Sequence, residues 1–182
     1  MASEMAKYFI ENRDEFHSDR PHKLLLAKMV EILQPYDTEK QILGIDVGCN
    51  RGRYIKNMKL ICSESNAKIL CFEPNPVNIP LIEQKIESDD NVVLHKYALS
   101  DETCVANFYN WKGAKKNSKG NSKAGLRSGG EVICETSVKR LEDVLNESFP
   151  NTELIIKLLK IDVSGNDTKV IKGVGKYLQN VE

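Results

Sequence analysis

The residues of this chain best suited to chemistry begin at Ile45-Asp46-Val47-Gly48-Cys49-Asn50-Arg51-Gly52, where an apolar run enters a turn with glycines four apart. Glycine takes positive φ at no steric cost and lets a ligand approach the backbone closely. A helix starting after such a turn offers N–H groups and a partial positive charge to a carboxylate. The same spacing also serves an ordinary strand–helix turn. Glu73 follows the apolar run Ile69 to Phe72, about 20 residues after Gly52. At the end of a strand in a nucleoside-binding α/β fold, a carboxylate there accepts hydrogen bonds from both ribose hydroxyls. Pro74, within Glu73-Pro74-Asn75-Pro76, pins the turn because proline fixes φ.

Two further stretches carry polar groups at strand ends. Tyr97-Ala98-Leu99-Ser100-Asp101 brings small and polar residues that could frame an adenine ring, although Ser100 and Asp101 are equally suited to capping a turn. Lys160-Ile161-Asp162-Val163-Ser164-Gly165-Asn166-Asp167 places Asp162 at the carboxyl end of an apolar strand, where open α/β sheets bind ligands. A carboxylate there could orient a substrate, act as a base or coordinate a cation. Asp167 reads as a capping residue, and His95 as a weaker candidate base.

These residues need strands and helices to hold them. Ile42–Val47, Lys68–Phe72, Asn91–His95 and Leu154–Val163 read as strands, with Val105–Tyr109 and Val132–Thr136 as shorter ones. Tyr54–Cys62, Pro80–Ile86, Val138–Leu145 and Thr168–Leu178 read as helices. Such alternation predicts a doubly wound, mostly parallel α/β sheet covered on both faces. Residues 1–40 are expected to form an N-terminal helical segment, and 41–182 the Rossmann-like domain. The Lys-, Gly- and Ser-rich stretch 111–131 is expected to be a mobile basic loop, either a lid or substrate loop or a solvated insertion with no role.

Composition narrows the function classes. Lys plus Arg and Asp plus Glu each number 26, so the formal net charge is +0 and a chain-wide basic field for nucleic acid is absent. The start lacks a basic segment followed by an apolar one, and no apolar run approaches the roughly 20 residues that span a bilayer. The five cysteines never fall in a Cys-x-x-Cys pair, which speaks against structural zinc and for reduced thiols in a cytoplasmic protein.

The order of these motifs, with Val170-Ile171-Lys172-Gly173-Val174 after the last, resembles the FkbM-type class I methyltransferases from about Gln41 to Leu178. The resemblance implies S-adenosylmethionine as cofactor and O-methylation of a small-molecule or sugar hydroxyl. It implies that Asp46, Gly48, Asn50 and Gly52 line the methionine side, that Glu73 with Pro74 holds the ribose, that Ala98 and Leu99 lie by the adenine, and that Asp162 faces the methyl group. The family carries Glu where this chain has Ser164 and Asp167, and Ser164 removes a charge that an acid–base or metal role would use. A class I sheet has further strands after the last helix, so this chain is expected to be a fragment or to lack the final antiparallel strands. A non-catalytic methyltransferase-like binding or scaffold protein is the alternative. A nicotinamide enzyme fits poorly, because Gly48 and Gly52 do not make Gly-x-Gly-x-x-Gly.

Overall fold

The computed structural model describes residues 39–111, 124–128 and 130–181. The N-terminal segment expected to be helical lies outside these residues up to position 38. Strands β1 (Gln41–Val47), β2 (Ala67–Phe72) and β3 (Val92–His95) alternate with helices α1 (Ile55–Ile61) and α2 (Ile79–Ile86). Then come β4 (Ala98–Leu99), β5 (Cys104–Trp111), β6 (Ala124–Gly125), β7 (Gly130–Lys139), α3 (Leu141–Ser148), β8 (Leu154–Ile161) and α4 (Asp167–Gly173). A 3-10 turn, Gly175–Asn180, follows.

The central sheet runs β3-β2-β1-β8, and all its pairings are parallel. Successive side chains of a strand point to opposite faces. Leu43, Ile45 and Val47 of β1 therefore join Leu70, Phe72 and Ile156 in a core that α3 closes with Leu141, Val144 and Leu145 and α4 with Val170. On the opposite face Ile69 and Cys71 pack with Ile55 and Met58 of α1 and Ile82 of α2. This is the α/β sandwich expected from the near-continuous apolar strands, with helices on both faces.

A second sheet was not foreseen. Its order is β4-β7-β5-β6; β5 pairs antiparallel with both β6 and β7, and β4 pairs parallel with β7. The strand expected over Val105–Tyr109 is longer, and so is the one expected over Val132–Thr136, because the two form a hairpin in which each supplies the other's ladder. The helix expected over Val138–Leu145 starts at Leu141 instead. Val138 is the buried end of β7, and Arg140 keeps extended backbone before the helix begins. The final helix also ends early, at Gly173, and Gly175 takes φ +57, which breaks helical geometry where the 3-10 turn begins.

The stretch 111–131 is not structureless throughout. Ala124 and Gly125 pair with Asn110 and Tyr109, and Glu131 belongs to β7. Residues 112–123, which carry most of the expected basic loop, lie outside the described residues. Among the described residues, no helix is long and apolar enough to cross a membrane.

Candidate functional site

The carboxyl ends of β1, β2 and β8 meet at a cavity of about 440 Å³. Gly48, Asn50, Glu73, Pro74, Ala98, Leu99 and Asp162 line it, so most of the candidates named from the sequence share one concave surface. That is where an open parallel sheet leaves room, because the chain turns away to opposite faces from neighbouring strands.

The turn after β1 is tightly built. Gly48 has φ +75, and a Cβ on it would fall 2.1 Å from the backbone oxygen of Asp162. The amides of Gly48 and Cys49 both donate to the carbonyl of Phe72, at 3.0 and 3.1 Å. Asn50 has φ 54, a left-handed conformation that asparagine tolerates, and its amide donates to Oε2 of Glu73 at 2.7 Å. The turn's own N–H groups at Gly48, Cys49 and Asn50 are therefore committed to the protein. Gly52 lies off the cavity wall. Its amide donates to Cys49 at 2.8 Å, and its φ of +66 closes the turn against Ile55.

Asp46 also lies off the wall. It is fully buried on the α1 face of β1, directly opposite Lys160 of β8 in the strand register. Lys160 Nζ donates to Asp46 Oδ1 at 2.7 Å and to the Gly48 carbonyl at 3.2 Å. Burial raises the Asp46 carboxyl above its ordinary value, Lys160 opposes that rise, and Asp162 adds to it.

Glu73 is 4% exposed, yet it reaches the cavity. Its Oε1 accepts the amide of Asn75 at 3.0 Å and the Asn78 side-chain amide at 3.3 Å. With Asn50 on Oε2, three donors hold the carboxylate in one orientation. A carboxylate has about four lone-pair sites, so one acceptor position remains on Oε2. Burial pushes the Glu73 carboxyl above its ordinary value, against the pull of these hydrogen bonds.

Asp162 follows β8 and is exposed at the cavity rim, with its amide donating to Val47 at 3.0 Å. The next turn is held by Asp167, whose two carboxylate oxygens accept the amides of Val163 and Gly165, each at 3.2 Å. That is a turn-tying role; the helix cap itself is Asn166, which makes no side-chain cap bond. Asn166 instead donates to Ser100 Oγ at 3.3 Å and to the Leu99 carbonyl at 3.4 Å, joining the two polar turns expected to be separate signals.

His95 does not line the cavity. Its ring stacks on Phe72 with centroids 4.6 Å apart, and its Nδ1 meets the Tyr97 hydroxyl at 3.1 Å. Burial, and then Lys139, hold its pKa below the ordinary value, and its ring buttresses Phe72 and Tyr97, which do face the cavity.

The second sheet supplies the part of the wall that sequence reasoning missed. Phe108, Gly125 and Leu126 line the cavity. The thiol of Cys134 donates to the Pro74 carbonyl at 3.8 Å, and a Cβ on Gly125 would lie 3.5 Å from the Ser164 carbonyl. The hairpin therefore touches both the Glu73 turn and the Asp162 turn. No local pattern marks these residues, because their place at the cavity depends on long-range strand pairing.

Residues 46–182 match the model of the Methyltransferase FkbM domain, from Asp46 to the last residue of the chain. This chain belongs to the FkbM methyltransferase domain family. The match takes in each cavity-lining residue. Among curated proteins, methyltransferase sdnD of Sordaria araneosa is 32% identical over 155 aligned positions, 71% of this chain and 59% of that protein. This FkbM chain thus spans about three-fifths of that relative's length. Among solved structures, methyltransferase FkbM from Methylobacillus flagellatus KT aligns with a TM-score of 0.46 at 11% identity, over 78% of this chain and 30% of that one.

Proposed function

We propose that this chain binds S-adenosylmethionine in the cavity at the ends of β1, β2 and β8, and that it serves O-methylation of a small-molecule or sugar hydroxyl. The observation that carries the reading is Glu73. A buried carboxylate, held by three donors and with an acceptor position left at a cavity wall, suits a ribose diol. The cavity volume lies within the range of small-molecule sites, and its wall mixes apolar with polar groups as such sites do. When bound, the cofactor supplies an electrophilic methyl group on a good leaving group.

The protein's own work is alignment, exclusion of water and handling of a proton. Glu73, oriented by Asn50, Asn75 and Asn78, holds the ribose. Ala98 and Leu99 form the small wall beside the adenine, with Pro74 rigid at its edge. Gly48 allows the turn after β1 to approach the Asp162 carbonyl, so that the two turns bound one space. Asp162 would orient the acceptor hydroxyl and take up its proton when the methyl group is transferred. Phe108, Gly125 and Leu126 cover the acceptor side.

Incubation with methyl-labelled S-adenosylmethionine and a panel of sugars and hydroxylated small molecules tests the reading. Label is expected on the oxygen of one acceptor class, with transfer reduced about 100-fold in Asp162→Asn, as for loss of a general base. Cofactor binding without label on any acceptor would favour a binding role instead.

A further inference from the structure

The two lysines of β8 stand out in an otherwise apolar strand, Leu154-Ile155-Ile156-Lys157-Leu158-Leu159-Lys160-Ile161. Lys157 has Glu64 as its partner at 2.5 Å, remote from the cavity. Lys160 is different. Its ammonium meets Asp46 Oδ1 at 2.7 Å, the Gly48 carbonyl at 3.2 Å and the face of Tyr54 at 5.0 Å. Tyr54 precedes α1, Asp46 lies near the end of β1 with Gly48 just after it, and Asp162 comes two residues after Lys160 itself. One charged group therefore joins three elements at the end of the sheet where the cavity opens.

We propose that Lys160 is a positioning residue: by binding Asp46 and the Gly48 carbonyl together, it fixes the turn after β1 in the conformation that receives the cofactor. The proposal rests on the cofactor reading above for what the turn receives, but the coupling of Lys160 to Asp46 can be measured without it.

The physical need is visible in what surrounds Asp46. The groups facing it are Asp162 beyond β8, Glu73 beyond β2, the Cys71 thiol on β2 and the Cys49 thiol in the turn. None of these neutralises a buried carboxylate, and two are carboxylates themselves. Asp46 Oδ2 has no hydrogen-bond partner among the described residues, so the pair with Lys160 is its main compensation. Without the ammonium, ionised Asp46 would lie beside the Gly48 carbonyl with nothing between them, and repulsion would open the turn. Protonation would relieve it. Removal of Lys160 should therefore leave a turn that is sound in acid and disrupted as pH rises. A merely structural stem would cost the same at every pH.

The test uses the full chain as wild type, Lys160→Met, Lys160→Arg and the double variant Lys160→Met/Asp46→Asn. Each is titrated by calorimetry with S-adenosylhomocysteine from about pH 5.5 to about pH 8.5, the span in which a buried, unpaired carboxyl titrates. Wild type and Lys160→Arg should change less than about 3-fold across the range, as an intact ion pair requires. Lys160→Met should lose about 10-fold or more at the upper end and recover toward wild type at the lower end. The double variant, with no charge to bury, should again be flat. Thermal midpoints of the same proteins without ligand should follow the same pattern. They also keep the test decisive if the single variant folds poorly, since the double variant and Lys160→Arg carry no bare charge. An equal loss at every pH in Lys160→Met, or no loss, would overturn the proposal while leaving the cofactor reading intact. Absence of binding by wild type would instead remove the cofactor reading, and the midpoints alone would then decide the coupling.

Discussion

The backbone oxygen of Asp162 lies 2.1 Å from where a Cβ on Gly48 would have to be. Two turns far apart in sequence are thus in direct contact, and the contact depends on a glycine with φ +75. It brings the end of β8 against the end of β1, so the proposed acceptor side and the proposed cofactor side share a wall.

Gly48→Ala should be destabilising for two reasons. The left-handed conformation costs a residue with a Cβ about 1–2 kcal/mol, and the clash with the Asp162 carbonyl adds to it. A total of about 2–4 kcal/mol is expected from denaturant midpoints, within the range of strained backbone sites. A loss below about 0.5 kcal/mol, the ordinary surface value, would mean that the two turns are not held together.

Glu73→Gln separates charge from shape. The raised carboxyl pKa gives a group whose stabilising contribution is fully present below its unfolded value of 4.5 and is lost as pH rises through the folded value. The wild type should therefore lose its stability advantage over Glu73→Gln as pH rises from the acid side toward neutrality. Thermal midpoints of both proteins across that window measure it. An advantage that grows with pH would show the carboxylate to be better stabilised in the fold than in water.

Lys157 and Glu64 form an ion pair whose side chains are 0% and 4% exposed. Lys157 is the extra residue at the bulge where pairing with β1 steps from Leu43↔Ile156 to Gly44↔Leu158. Lys157→Met alone leaves Glu64 buried and uncompensated, and should cost about 3–5 kcal/mol. Lys157→Met with Glu64→Leu should recover most of that loss, because two apolar groups need no partner. Urea unfolding of the wild type, of each single variant and of the double variant gives the cycle, and additivity of the two changes would contradict a coupled pair.

The central sheet is legible in the sequence because Ile42–Val47 and Lys68–Phe72 are apolar almost throughout, the mark of strands covered on both faces. The second sheet is not. Cys104, Val105 and Asn107 of β5 are exposed while Phe108 is buried, so the strand has no clean two-residue period to read. Glu73, Ala98 and Asp162 could be named because each comes soon after a recognisable strand. Phe108, Gly125 and Leu126 could not, since only the hairpin's pairing brings them to the cavity. Asp46 was expected at the wall, but alternation within β1 sends its side chain to the α1 face, and Val47 lines the cavity in its place. Lys160 was a visible oddity in an apolar strand, yet its partner depends on register, which the bulge at Lys157 sets.

Calorimetric titration of the chain with S-adenosylmethionine and S-adenosylhomocysteine, beside Glu73→Ala, tests the central claim most directly. The account predicts micromolar-range binding of both ligands, about −8 kcal/mol. In Glu73→Ala it predicts a loss of about 10-fold or more, as when a charged hydrogen-bond acceptor is removed. Failure of a folded wild-type sample to bind either ligand, or equal binding by the variant, would contradict it.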